Sequence, residues 1–243
     1  MTILRFNKII NNLRTGEIKV EGEFIHGSNY TFLIKIYPKE DNPFLAVYKP
    51  VKGERSLWDF PENTLAHREI SAFLVAEALG WQLVPPTVFR EDGPFGPGSV
   101  QLFIEHNPDF HYFNFGDAEI QTLRPVVLFD FLINNADRKG GHIIFDDEKH
   151  IWLIDHGVSF NVEEKLRTVI WNFAGEAIPV EFYADLEKFL AKLETSSELL
   201  DELGNFLSSE EINALIGRTK ALMARKEFPF PPKDRRAYPY PPI

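Results

Sequence analysis

Cysteine is absent from this chain of 243 residues. The absence excludes disulfide bonds, zinc sites built on thiolates and catalysis by a thiol. Basic residues are also in the minority, since 26 lysines and arginines stand against 36 aspartates and glutamates and give a formal net charge of -10. That charge argues against general nucleic-acid binding, which depends on neutralising phosphates, and against a surface built to lie on anionic lipid.

Long apolar runs are missing as well. No stretch approaches the roughly 20 apolar residues of a transmembrane helix, and the first seven residues, MTILRFN, lack the apolar segment of a secretory signal. We therefore expect a cytoplasmic protein without a transmembrane segment. Because 44% of the residues are hydrophobic, the chain can bury a core as one large domain or two small lobes, and we expect little disorder.

Acids, histidines and glycines concentrate between residues 130 and 157, DFLINNADRKGGHIIFDDEKHIWLIDHG. Two short apolar runs, 142–145 and 151–154, flank a polar group and predict a β-hairpin. If the turn is centred on the bond between residues 148 and 149, position 142 pairs with 155. Directly opposed residues share a face of the hairpin, so His142 and Asp155 would stand side by side, with Asp137 just upstream.

An acid, a ligand-type residue five positions later and a second acid after the returning strand form the layout of a kinase-type phosphotransfer site. Asp137 would orient the attacking hydroxyl, while His142 and Asp155 would hold the metal. Arg138 would either brace the loop or neutralise developing phosphate charge, and Lys139 could do the latter. The alternative is a surface turn, since the same residues are good turn formers.

The N-terminal part of the chain predicts a small sheet and one helix, after a possible helix over residues 8–14. Lys49 closes the third strand and could reach the nucleotide phosphates, with Glu69 on the following helix as its partner and Glu77 as the alternative. Thr64 can cap that helix, and Gly80 can end it. The strands are expected at 17–21, 30–37, 44–49, 87–90 and 99–104.

Two further segments fit nucleotide binding. The turn that contains Gly27, Ser28 and Asn29 would lie over the phosphates and offer backbone N–H groups, although a plain hairpin turn explains it as well. Glu105 and His106 would belong to the hinge between two lobes, where the backbone meets an adenine edge.

The motifs around Asp137 and Asp155 resemble those of the phosphatidylinositol 3- and 4-kinases. The whole chain more closely resembles a bacterial family related to those kinases. The matching segments are YKPVKGER (48–55), LWDFP (57–61), NNADRKGGH (134–142), IDHG (154–157) and KLRTV (165–169). His142 departs from the pattern, because phosphotransferases of this fold usually place asparagine there, so both Mg²⁺ and Mn²⁺ remain candidate metals.

The resemblance implies a two-lobed α+β protein-kinase-like fold. The N-terminal lobe would span residues 1–108 and hold an antiparallel sheet with one helix. The C-terminal lobe, 109–227, would carry the catalytic loop, the metal hairpin and helices expected at 182–193, 197–206 and 210–223. A proline-rich tail, 228–243, cannot be helical and would wrap the fold or bind a partner.

We expect this fold to bind ATP with a divalent metal and to transfer the γ-phosphate to a hydroxyl acceptor, which could be a protein, a small molecule or a lipid head group. Two alternatives remain open. The chain could be a nucleotide-binding pseudokinase that regulates or scaffolds, which the glycine-poor turn and His142 favour. It could also transfer the adenylate part of ATP. Fold-level analogy does not decide between these activities.

Overall fold

The computed structural model describes residues 3–25 and 29–243. It has a five-stranded antiparallel sheet near the N-terminus, a two-stranded hairpin and a mainly helical C-terminal part. The strands are β1 (Glu17–Glu23), β2 (Phe32–Tyr37), β3 (Phe44–Pro50), β4 (Thr87–Arg90), β5 (Gly98–Leu102), β6 (Ile143–Phe145) and β7 (Ile151–Leu153). The helices are α1 (Ile3–Thr15), α2 (Leu65–Leu79), α3 (Asp117–Gln121), α4 (Arg124–Ile133), α5 (Val180–Thr195), α6 (Ser197–Gly204) and α7 (Ser209–Ala224).

The sheet has the strand order β1-β2-β3-β5-β4, and each neighbouring pair is antiparallel. One face of alternating side chains is buried, as half-buried strands require. Helix α1 covers part of that face, where Leu13 packs with Ile34, Ile36 and Val100. The possible helix over residues 8–14 is therefore a longer helix, and the N-terminal part contains two helices rather than one.

Helix α2 connects the sheet to the rest of the molecule. Its N-terminal N–H groups at Leu65 and Ala66 donate to the Glu54 carboxylate at 3.0 and 2.7 Å. The expectation that Thr64 caps this end is wrong, because its hydroxyl donates to the Pro61 carbonyl instead. A carboxylate from outside the helix neutralises the positive end of the helix dipole, and Gly80, at a φ of 77°, ends the helix.

The large core lies between α2, α4, α5 and α7, with Phe129, Leu153, Phe160, Leu186 and Leu215 at its centre. The predicted C-terminal helices are present with bounds that differ by at most two residues. Ser208 and Glu211 form the capping box that their spacing indicates. The predicted α+β arrangement of a small antiparallel sheet and a larger helical part is therefore present.

Within 3–25 and 29–243, no helix combines the length and the apolar character needed to cross a bilayer.

Candidate active site

The hairpin that carries the predicted metal ligands has a different register from the expected one. Ile143 pairs with Leu153, and the Ile154 N–H donates to the His142 carbonyl at 3.1 Å, so position 142 lies opposite 154 and not 155. The loop has three residues, 147–149, because Asp146 N–H donates to His150 O at 3.1 Å and Lys149 adopts a φ of 60°. A loop with an odd number of residues shifts the pairing by one position.

Asp146 explains why the chain forms this turn. Its carboxylate accepts hydrogen bonds from the N–H groups of Glu148 and His150 at 3.0 and 2.9 Å and from the Trp152 indole at 2.9 Å. Aspartate stabilises turns by such local contacts. In the sequence alone, the four polar residues 146–149 are compatible with a two-residue and with a three-residue loop, so they do not predict the loop length.

Asp155 nevertheless lies beside His142. A one-residue shift should move Asp155 to the other face of the hairpin, but its φ of 62° takes the backbone out of the strand conformation. One carboxylate oxygen lies 3.3 Å from His142 Nε2, and the other lies 3.0 Å from Lys49 Nζ. Because its side chain is 50% exposed, Asp155 is open to the cleft.

Lys49 lies between two carboxylates. Its Nζ contacts Glu69 as well as Asp155, so Glu69, and not Glu77, is the partner on α2. Burial lowers the pKa of Lys49, but the charges of Asp155 and Glu69 outweigh burial and raise it above its usual value. Burial also disfavours the charged form of Glu69 and would raise its pKa, but the positive charge of Lys49 outweighs burial and lowers the pKa of Glu69 to about 2.

The positive charge of Lys49 also holds the pKa of Asp155 well below its usual range. All three side chains are therefore charged at neutral pH. His156 follows Asp155, and its backbone N–H donates to Glu69 at 2.9 Å. Its imidazole is fully buried, packs against Phe129 and lies 3.6 Å from the Glu69 carboxylate, which is a structural position and not one open to the cleft.

Arg138 does not face the cleft. Its guanidinium is fully buried, contacts the Asp130 carboxylate at 3.0 Å and donates to the Ile154 carbonyl at 2.9 Å. Of its two predicted roles, the structure supports bracing the loop, because a fully buried and fully engaged guanidinium cannot meet a phosphate. Asn135 adds to the brace by donating to Asp130 at 3.1 Å and accepting from the Asp137 N–H at 2.9 Å.

Asp137 and Lys139 line the cleft together. Their charged groups lie 3.3 Å apart. Burial raises the pKa of Asp137 to about 6, with Lys139 opposing the shift and the negative charge of Asp155 adding to it. Asp137 is therefore mostly ionised at neutral pH and can accept a hydrogen bond from a hydroxyl group.

His142 is neutral at neutral pH. Burial and the surrounding positive charges lower its pKa to about 4, and Asp155 only partly opposes them. Its Nδ1 is buried without a hydrogen-bond partner among the described residues. A neutral imidazole offers a lone pair to a metal, so His142 and Asp155 are the residues that could hold a divalent ion here. No group of three or more acidic or histidine side chains suited to a metal occurs in the described ranges.

These side chains lie in a cleft of about 830 Å³ between the sheet and the loop that carries Asp137. Its lining includes apolar residues as well as the charged ones, among them Val47, Phe103, Ile104, Ile144 and Ile154. This volume and this mixed lining suit a ligand with a flat apolar part and a charged part.

The remaining predicted nucleotide contacts differ in position. His106 lines the cleft, and its Nδ1 lies 2.8 Å from the Ile104 carbonyl. Glu105 is exposed to solvent. Asn29 lines the cleft and accepts from the Arg55 N–H at 2.7 Å, whereas Gly27 and Ser28 lie outside the described residues.

Sequence reasoning missed two residues that line the cleft, Trp58 and Ile243. Trp58 is 92% exposed at its edge, and Lys165 Nζ lies 5.3 Å from the centre of the Trp58 ring and 3.1 Å from Asp59. Ile243, in the tail, lines the same cleft. Trp58, Asp59 and Lys165 belong to segments that carry the family resemblance, so the sequence contains a signal for the surroundings of Trp58. Nothing in the sequence indicates that Ile243 lies here.

No protein-family model matches the chain. The chain is 36% identical to Protein Rv2133c of Mycobacterium tuberculosis (strain ATCC 25618 / H37Rv). The alignment has 264 positions and covers 94% of this chain and 93% of the relative.

Two solved structures resemble the fold. The Golgi casein kinase with Mn/ADP bound has a TM-score of 0.58 at 16% identity over 92% of this chain and 76% of its own. A hydra Fam20 structure with sugar has a TM-score of 0.54 at 15% identity over 91% and 88%, respectively. Identities this low show the fold alone, and they confirm the predicted protein-kinase-like α+β fold.

Proposed function

Because this chain belongs to the family of the Mycobacterium tuberculosis protein Rv2133c and has a protein-kinase-like fold, we propose that it is an ATP-dependent phosphotransferase. It transfers the γ-phosphate of ATP to a hydroxyl acceptor. The observation that carries this proposal is the arrangement of Lys49 between Glu69 and Asp155, with His142 against Asp155. Asp137 lines the same cleft.

The apolar and the charged residues of the cleft bind different parts of ATP. The adenine ring lies against the apolar residues near Ile104 and His106, and the phosphates point towards Lys49. Glu69 holds the Lys49 ammonium in place, as the acid on the helix does in kinase sites. Among the solved structures that this fold resembles, the Golgi casein kinase contains Mn and ADP, which supports the use of a nucleotide and a divalent metal here.

A divalent metal, Mg²⁺ or Mn²⁺, would bridge the phosphates and neutralise their charge when bound. His142 Nε2 and the Asp155 carboxylate are the residues that would hold it. An imidazole ligand favours Mn²⁺ over Mg²⁺, since Mg²⁺ prefers oxygen ligands.

Asp137 orients the acceptor hydroxyl and takes its proton as the new bond to phosphorus forms. Lys139, beside Asp137, stabilises the negative charge on the transferring group. Arg138 acts through the loop that it braces and is a positioning residue. We place the boundary between the two lobes at Pro108, because the cleft lies between the residues before and after that position.

Two observations bear on the class of acceptor. The motifs that resemble the phosphatidylinositol 3- and 4-kinases support a lipid head group, whereas the net charge of -10 favours a protein or small-molecule hydroxyl. Labelled ATP distinguishes the activities: phosphate transfer supports the proposal, while adenylate transfer or the absence of transfer would replace it with one of the two alternatives.

The first test is ATP binding by calorimetry with Mg²⁺ and with Mn²⁺. We expect binding that depends on the metal, and a loss of affinity of at least about 100-fold in Asp155→Ala, equal to about 2.7 kcal/mol. Asp147→Ala is the matched control, because Asp147 is an exposed acid in the turn of the same hairpin. Absence of binding with either metal would refute the proposal.

A further inference from the structure

The proline-rich tail, residues 228–243, is anchored where it begins. Phe228 is buried and packs against Phe173, with ring centres 5.7 Å apart. Its backbone accepts from the Gly175 N–H at 3.1 Å and donates to the Glu176 carbonyl at 2.9 Å. The tail therefore starts from a fixed point on the helical part of the molecule.

The tail then crosses the segment that follows the hairpin. The Ala237 carbonyl accepts from the Thr168 N–H at 3.1 Å and from the Trp171 indole at 3.3 Å. Arg235 forms an ion pair with Glu164 at 2.5 Å. These contacts tie the tail to residues 164–171, the segment that follows the hairpin.

The end of the tail reaches the catalytic loop. The Gly140 N–H donates to the Pro242 carbonyl at 2.8 Å. The chain's own tail therefore approaches the backbone of the loop at this glycine. The loop is closely packed here, because a Cβ at Gly140 would lie 2.8 Å from the Phe113 ring.

Ile243 is the tail residue that lines the cleft, together with Asp137 and Lys139. It is 59% exposed, so it presents an apolar side chain at the mouth of the cleft, on the side of the catalytic loop. The nucleotide phosphates, by contrast, would lie on the side of Lys49. The tail therefore borders the space in which an acceptor hydroxyl would meet Asp137.

We propose that residues 237–243 form the acceptor-side wall of the cleft and that Ile243 limits the access of water to Asp137. This inference rests on the proposed phosphotransfer function. A wall of this kind favours transfer to the acceptor over hydrolysis of ATP, since kinases must keep water from the transferring group. It also places Ile243 in contact with the part of the acceptor next to its hydroxyl.

The competing reaction defines the test. In hydrolysis, a water oxygen forms the new bond to the γ-phosphorus, and the bond from that phosphorus to the bridging oxygen of ADP breaks. The water proton passes to Asp137 and then to solvent, leaving ADP and inorganic phosphate. The rate of ADP formation from ATP without an added acceptor therefore measures how well water reaches the site.

Two variants of the full chain open the wall to different degrees. Removal of residues 241–243 deletes both Ile243 and the hydrogen bond to Gly140, and Ile243→Ala shortens one side chain while keeping that bond. Val180→Ala is the matched control, because Val180 is an aliphatic residue that is 79% exposed at the start of α5. ADP formation, ATP affinity by calorimetry and Tm are measured for each.

We expect the shortened chain to form ADP about tenfold faster and Ile243→Ala about two- to threefold faster, the first factor corresponding to about 1.4 kcal/mol in the barrier. ATP affinity should stay within about twofold of the parent chain, and Val180→Ala should match the parent throughout.

An unchanged or slower rate in variants that fold and bind ATP would overturn the inference and leave the proposed function intact. If the shortened chain does not fold, the rate of Ile243→Ala decides. A parent chain that binds no ATP would overturn both proposals.

Discussion

Two charged clusters of this protein pair a basic side chain with carboxylates for different purposes. In the cleft, Lys49 contacts Glu69 and Asp155, and the Asp155 side chain is half exposed. Beneath the loop that carries Asp137, Arg138 contacts Asp130, and both side chains are fully buried. The charges that face the cleft can exchange their partners for a ligand, whereas the fully buried charges contact only each other and the surrounding protein. Access to the cleft therefore separates a binding group from a brace.

The largest expected effect lies in the buried cluster. Arg138→Ala leaves Asp130 buried and unpaired, and removing one partner of such a pair costs about 3–5 kcal/mol in the free energy of unfolding. Urea denaturation measures this loss. Arg14→Ala is the control, because Arg14 is exposed on α1, and we expect it to change the stability by less than about 0.5 kcal/mol. Equal stabilities of the two variants would contradict the assignment of Arg138 as the brace of the loop.

A smaller effect is expected in the cleft cluster. Lys49→Met leaves Glu69, only 3% exposed, without its cation, and should cost about 2–3 kcal/mol in unfolding free energy. Adding Glu69→Gln should restore at least half of that loss, because the neutral amide no longer needs a positive partner. Phosphate transfer should remain at least about 100-fold below the parent in both variants.

The matched single variant, Glu69→Gln, completes a double-mutant cycle for this pair. Strictly additive stability losses would show that the contact between Lys49 and Glu69 contributes no coupling energy, and would remove the reason to treat the cluster as a unit.

The smallest effect concerns Asp137, and it has the opposite sign. Its pKa is raised from 3.8 to about 6 in the folded protein, so from about pH 3.8 to pH 6 the unfolded chain releases a proton that the folded chain keeps. Stability is therefore lost as the pH rises through this window, and the full cost is present above about pH 6. Asp137→Asn removes this cost.

We expect Asp137→Asn to raise Tm by a few degrees at pH 7, where ~1 kcal/mol corresponds to roughly 2–4 °C in a chain of this size. The advantage over the parent should disappear below about pH 3.8, while phosphate transfer is lost. Calorimetric scans from pH 3.5 to 7.5, with the exposed Asp147→Asn as control, measure this difference. A Tm gap that does not depend on pH would contradict the raised pKa as its cause.

The two clusters differ in how far the sequence predicts them. The positions of Lys49, Glu69, Asp137 and Asp155 follow from strand ends, helical spacing and motif spacing, and the structure brings all four to one cleft. The register of the hairpin does not follow, because a run of four polar residues fits two loop lengths. The pairing of Arg138 with Asp130 does not follow from the sequence either, because the motif does not indicate whether the Arg138 side chain points into the core or into the cleft.

By itself, the sequence determined the strands, most helices and the order of the functional residues, because apolar periodicity and turn residues act within a few positions of the chain. The tertiary structure decided the contacts between residues that are far apart in sequence. These include the Glu54 carboxylate at the start of α2, the left-handed backbone that turns Asp155 towards Lys49, and the tail that brings Ile243 to the cleft. Such contacts depend on the packing of the whole chain, which local propensities do not encode.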